Sequence, residues 1–292
     1  MVVVNSRLST LPRTQKTLKK EVTFSGIGIH TGQCVSMKFC PAKEGEGIFF
    51  KRIDLPNHPI IPASIEYVCD TARSTTIGIG DVRVHTIEHV LAALSSYGID
   101  NLCIELSNLE PPVADGSSLE FVRMIEEAGI QEQTGTVAVV KIDQPVYWSE
   151  KGIHLVALPF DGYRISYTLN YPDTPALKSQ FQSFDITPSV FKEQISPCRT
   201  FSLYKEVSIM MDHGLIKGGS LDNAVVIKDD VIFSKGGLRF SDEMVRHKIL
   251  DMVGDLSLIG FNIHAHFIAI CSGHAANFAF SKKIFQYITE KC

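Results

Sequence analysis

The 292-residue chain has no long apolar run. Its apolar stretches, such as Thr136–Val140 and Ala224–Ile227, are strand-sized, so no transmembrane helix is expected. It has no basic excess either: 28 Lys and Arg against 32 Asp and Glu leave a net charge of −4. That balance argues against a general nucleic-acid binder, while a local phosphate site stays open. No Cys-x-x-Cys occurs. The seven cysteines (34, 40, 69, 103, 198, 271 and 292) form an odd set that reads as reduced thiols of a cytoplasmic protein. No His-Glu-x-x-His occurs, which excludes the commonest zinc peptidase helix. The opening Met-Val-Val-Val lacks the apolar core and cleavage region of a signal peptide. Residues 1–20 are polar and basic and are expected to form a poorly ordered tail. What remains is 45% hydrophobic and 21% charged, an ordinary composition for one large or two medium domains.

The most informative stretch is Arg246-His-Lys-Ile-Leu-Asp-Met-Val-Gly-Asp255. On an α-helix His247, Asp251 and Asp255 share one face. Val245, Ile249, Met252, Val253 and Leu256 fall opposite, which predicts an amphipathic helix over 242–258 with Ser241 as its cap. A His–Asp pair at i, i+4 can offer one metal an imidazole nitrogen and a carboxylate oxygen. A second segment, His85-Thr-Ile-Glu-His-Val-Leu-Ala-Ala-Leu94, predicts a helix capped by Thr86 and ended by Gly98. Glu88 and His89 occupy its first turn. Neighbouring helical residues do not share a face, so one can bind an ion while the other reaches a water on it. His89, His247 and Asp251 then make a two-histidine, one-carboxylate set with Glu88 in reserve. That is the ligand count of a catalytic zinc site, and non-haem iron uses the same donors.

Short β-rich runs surround these helices: Val35–Phe39, Gly47–Arg52, Thr75–Ile79 and Asn101–Leu106 first, then Val137–Ile142, His154–Leu158, Tyr163–Leu169 and His264–Cys271. Helices are expected at Leu119–Ala128 and around Asn277–Thr289. The polar Gln131–Gly135 marks a boundary between domains at 21–132 and 133–292. Two α+β layers facing one another, with the site at their junction, is the expected architecture. After the strand ending at Cys271, Ser272-Gly-His-Ala275 presents His274, which can serve as a general acid, and Asp255 can hold its other N–H. His264 and His266 sit in an apolar run and read as structural. Thr200, in Cys198-Arg-Thr-Phe201, carries a hydroxyl suited to an oxyanion, and the Ile- and Met-rich segment after it can line an apolar channel. Lys217-Gly-Gly-Ser220 can approach a phosphate through backbone N–H groups, and Lys248 suits an anionic group of a substrate.

Ten blocks together resemble one family: Gly26-Ile-Gly-Ile-His-Thr-Gly32, Asp70-Thr-Ala-Arg73, Thr86-Ile-Glu-His89, Gly98-Ile-Asp-Asn101, Ala114-Asp-Gly-Ser117, Cys198-Arg-Thr-Phe201, Gly214-Leu-Ile-Lys-Gly-Gly-Ser220, Gly237-Leu-Arg-Phe240, His247 to Asp255, and Ser272-Gly-His274. They are similar to the UDP-3-O-acyl-N-acetylglucosamine deacetylases, zinc amidases of lipid A biosynthesis. The resemblance implies an α+β fold of two similar domains, each a sheet with helices on one face, the helices sandwiched between the sheets. It implies Zn²⁺ (or Fe²⁺) on His89, His247 and Asp251, with Glu88 as general base and His274 as general acid. Thr200 assists the oxyanion, Asp255 supports His274, and Lys248, Phe201, Gly219 and Ser220 contact substrate. Ser74 stands where many members have cysteine. A monomeric cytoplasmic enzyme with a small-molecule substrate follows. The alternative is a nucleotide-sugar or acyl-ligand binding protein with a structural metal.

Overall fold

The structure, a computed structural model, describes Leu8 and residues 10–290. One five-stranded sheet has the order Val22–Ile27, Cys34–Pro41, Leu102–Leu106, Ile48–Arg52, Ile60–Pro62. Alternation works as expected on it: Val35, Met37 and Phe39 of one strand point inward together. Leu102–Leu106 runs parallel to Ile48–Arg52, and the return between them carries helix α1, Glu88–Ser96. Helix α2, Leu119–Ala128, follows.

The larger sheet is built the same way. Its strand Asn262–Ile270 runs parallel to Tyr163–Tyr171. The long connection between them contains a one-turn helix α3 (Pro188–Val190), α4 (Tyr204–Asp212) and α5 (Glu243–Ser257). Helix α6, His274–Thr289, follows the strand. Each half thus repeats one unit: a parallel strand pair, a helix before its second strand and a helix after it. In both halves the helix before the second strand carries metal-type ligands. Helices α1 and α5 pack against each other between the sheets, which places the two ligand sets face to face. No described helix is long and apolar enough to cross a membrane.

Five expectations change. Residues 10–18, assigned to a tail, form the strand Thr10–Leu18, paired antiparallel with Ile130–Lys141. Its burial of Thr17 and Leu18 supplies the packing that a polar composition concealed. Residues 1–7 and 9 lie outside the described residues. The polar Gln131–Gly135, read as the boundary between domains, is not a loop but part of the continuous strand Ile130–Lys141. Thr86 does not cap α1: it adopts φ +55°, Ile87 takes the cap position, and the buried Thr86 hydroxyl makes no hydrogen bond. Ser241 does not cap α5 either. Asp242 precedes its first residue, with its carboxylate held by Arg246 at 2.7 Å. Helix α5 is also not amphipathic in the usual sense. Twelve of its fifteen residues are buried, so the polar stripe faces the protein interior.

Candidate active site and metal centre

A polar stripe inside a protein must find partners, because burying a bare charge is prohibitive. On α5, His247 and Asp251 meet His89 from α1. Their donor atoms all lie within 4.8 Å of one another. Asp251 Oδ1 stands 3.3 Å from His247 Nε2 and 3.5 Å from His89 Nε2, and the two rings meet edge-on with centroids 5.0 Å apart. Asp251 Oδ1 is buried yet makes no hydrogen bond. Two imidazole nitrogens converging on an orphaned carboxylate oxygen are the donor set a divalent cation satisfies. His247 Nδ1 lies 3.1 Å from the Cys198 carbonyl, which orients Nε2 toward the shared point.

The electrostatics agree. Burial pushes the His247 imidazole down to about 4, which keeps it neutral and ready to ligate. Burial alone would raise Asp251, but the His247 ring and the Lys248 ammonium hold it well below the usual carboxylate range. Lys248 Nζ lies 2.5 Å from Asp251 Oδ2. It is therefore a half-buried partner of Asp251, not a solvated neighbour.

Glu88 and His274 flank this point. Glu88 Oε2 accepts the Thr75 backbone N–H at 3.0 Å, which leaves Oε1 free, 3.9 Å from His274 Nε2. Burial raises the Glu88 carboxyl above its ordinary value. His274 is the first residue of α6, and its Nδ1 lies 2.9 Å from Asp255 Oδ2. Burial disfavours its charged form, but the Asp255 carboxylate and the nearby acids outweigh that and bring it up to about 9. A carboxyl of raised proton affinity thus faces an imidazole whose charged form is favoured, with Oε1 and Nε2 3.9 Å apart.

A cavity of about 730 Å³ opens over these groups. Glu88, His89, His247, Asp251, His274, Thr200, Phe201, Lys248, Gly219 and Ser220 all line it. Asp255 does not; it lies behind His274. Val207, Met210, Met211 and Leu215 of α4 and the turn after it form an apolar wall. The phosphate reading of Lys217-Gly-Gly-Ser220 needs correction, because its backbone donors are committed. Lys217 and Gly218 donate to His30 and Ile29, Gly219 to Ile216, and Ser220 to Asn223 Oδ1. Gly218 is glycine because a Cβ would sit 2.2 Å from the Gly28 carbonyl oxygen. His264 and His266 lie apart from the centre, His266 bonded to Ser166 at 2.7 Å.

Three supports escaped the sequence reading. Thr75 Oγ1 donates to Asp255 Oδ1 at 2.6 Å, and Asn277 Nδ2 donates to Asp255 Oδ2 at 2.8 Å. The fully buried Glu243 grips Arg199 through its backbone N–H and guanidinium, anchoring the segment that presents the Cys198 carbonyl and Thr200. Only the Cys198-Arg-Thr-Phe201 block hinted at the last.

Three metal-type ligands converging beside an acid–base pair in a partly apolar cavity describe a metal-dependent hydrolase. A profile of the UDP-3-O-acyl N-acetylglycosamine deacetylase family matches residues 15–286, and the chain belongs to that family. It is 49% identical over 278 residues to the UDP-3-O-acyl-N-acetylglucosamine deacetylase of Chlamydia caviae, covering 95% of this chain and 99% of that one. The enzyme of the same name from Chlamydia pneumoniae is 49% identical over 277 residues, 94% of this chain and 98% of the other. That of Chlamydia trachomatis serovar L2 is 45% identical over 276 residues, 94% and 96%.

Proposed function

We propose that the protein hydrolyses the acetamide of UDP-3-O-acyl-N-acetylglucosamine, releasing acetate and the free 2-amino sugar nucleotide, with Zn²⁺ held by His89, His247 and Asp251. The observation that carries this reading is the orphaned Asp251 Oδ1 facing both imidazole Nε2 atoms, with Glu88 and His274 beside it. A bound divalent ion supplies Lewis acidity to the acetamide carbonyl and acidifies a water toward a pKa of about 7. Fe²⁺ shares this donor set, so the metal is identified by direct analysis of the purified protein.

Glu88 Oε1, left free by the Thr75 contact, takes a proton from the attacking water. Thr200, at the cavity wall, donates its hydroxyl to the developing oxyanion. An amide nitrogen leaves poorly as an anion, so the C–N bond breaks as His274 delivers its Nε2 proton to that nitrogen. Asp255 holds Nδ1–H meanwhile, which fixes the tautomer and the ring orientation. Lys248 and Phe201 contact the sugar nucleotide, as do Gly219 and Ser220, and the α4 wall takes the acyl chain. All these groups belong to one chain, so a monomer suffices. The six described cysteines are free, in keeping with a cytoplasmic enzyme.

The test is acetate release from UDP-3-O-acyl-N-acetylglucosamine before and after chelation and Zn²⁺ return, with Glu88→Gln alongside. Activity should vanish with the metal and return with it, while Glu88→Gln loses turnover but keeps its zinc. Activity that survives complete metal removal, or persists at wild-type level in Glu88→Gln, defeats the reading. A binding protein would release no acetate in any state.

A further inference from the structure

Thr75 touches both halves of the acid–base pair at once. Its backbone N–H donates to Glu88 Oε2 at 3.0 Å, and its hydroxyl donates to Asp255 Oδ1 at 2.6 Å. The same oxygen lies 3.4 Å from His274 Nδ1, and its carbonyl accepts the Ile87 N–H that enters α1. Thr75 is 2% exposed, so none of these contacts is shared with bulk water. Asp255 accepts from three groups: Thr75 on Oδ1, and His274 and Asn277 on Oδ2. Its carboxylate plane is therefore set from one side by Thr75 alone.

We propose that Thr75 is a positioning residue that ties the general base to the partner of the general acid, fixing the separation of the group that takes a proton and the group that gives one. This rests on the reading of Glu88 and His274 given above. The physical reason is that the three groups come from separate elements: Thr75 from the segment leading into the strand Thr76–Ile79, Glu88 from α1, and Asp255 from α5. Without the hydroxyl, Asp255 Oδ1 is left with no donor among the described residues. A buried carboxylate so deprived turns toward another donor and takes the His274 ring with it. The substrate is held elsewhere in the cavity, so binding should be largely spared.

The test compares Thr75→Val, which keeps shape and removes the hydroxyl, with Thr75→Ser, which keeps it. Thr75→Val should lower kcat about 10- to 100-fold with KM within about threefold, the scale set by misplaced supporting groups. Thr75→Ser should recover most of that loss. Adding Thr75→Val to Asp255→Ala should produce little further loss, because both act through the same imidazole. Metal content equal to wild type shows that the variants are folded. Wild-type kcat in Thr75→Val, failed rescue by serine, or losses that multiply in the double variant would each overturn the proposal. Glu88→Ala and His274→Ala serve as separate controls. If they collapse turnover while Thr75→Val does not, only the role of Thr75 fails; if they too retain turnover, the underlying assignment fails with it.

Discussion

At Gly254 helix α5 lies directly against the backbone at the start of α1. A Cβ placed on it would lie 2.1 Å from the Glu88 carbonyl oxygen and 2.9 Å from the Glu88 Cα, backbone atoms that cannot rotate away. Carbon and carbonyl oxygen come to rest at about 3.3 Å, so Gly254→Ala must part α5 from the start of α1 by about 1.2 Å. The stability effect is moderate. Overpacking costs about 1–3 kcal/mol, and alanine returns about 1 kcal/mol of helix propensity, leaving a net loss of about 0–2 kcal/mol. The functional effect is large. Glu88 and His89 travel with α1 while His247 and Asp251 stay with α5, and a metal site tolerates only about 0.2 Å of misfit. We expect kcat/KM to fall at least about 100-fold and zinc affinity at least about tenfold, with the metal-free protein melting only a few degrees lower. Deacetylase assays, competition with a chelator and melts of the stripped protein read these separately. Near-wild-type activity and metal affinity would refute the reasoning, as would outright unfolding, since the effect is predicted to be local.

Further outcomes follow from the charges. With Glu88 as the proposed base, kcat/KM should rise as pH passes the raised Glu88 value, and that limb should vanish in Glu88→Ala. With His274 as the proposed acid, activity should fall as pH rises through a value at or below about 9, a bound dication drawing both limbs downward. Asp255→Asn should move the alkaline limb to lower pH, and a pH–rate profile without that shift would remove Asp255 from its role. Arg199→Met leaves Glu243 charged and buried without its partner, and should cost about 3–5 kcal/mol in urea unfolding. Replacing both by apolar residues should recover part of that loss, and equal losses in the single and double variants would contradict it.

Much of the site was readable because it is periodic. His247, Asp251 and Asp255 repeat every four residues, and that spacing requires a shared helical face before any tertiary contact is known. Leu119–Ala128 emerged as a helix with the expected bounds, since its apolar residues are spaced to share one buried face and Gly129 ends it. The misreadings share a cause. Thr10–Leu18 and Gln131–Gly135 are polar, and they become strands by pairing with each other across more than a hundred residues of chain. Thr86 has the chemistry of a cap but the wrong backbone angle, φ +55°. Lys217-Gly-Gly-Ser220 resembles a phosphate loop, yet two of its donors meet Ile29 and His30 and the other two are taken up by Ile216 and Asn223.

Residue order alone determined the donor types, the helices that carry them and the class of chemistry, because these depend on side-chain identity and local periodicity. Only the tertiary structure decided how α1 meets α5 through Gly254, and which oxygen of Asp251 is left for a cation. It alone decided that Thr75 reaches Asp255, 180 residues away. Contacts of that kind are created by close packing between elements, and no local pattern in the chain encodes which atoms will meet.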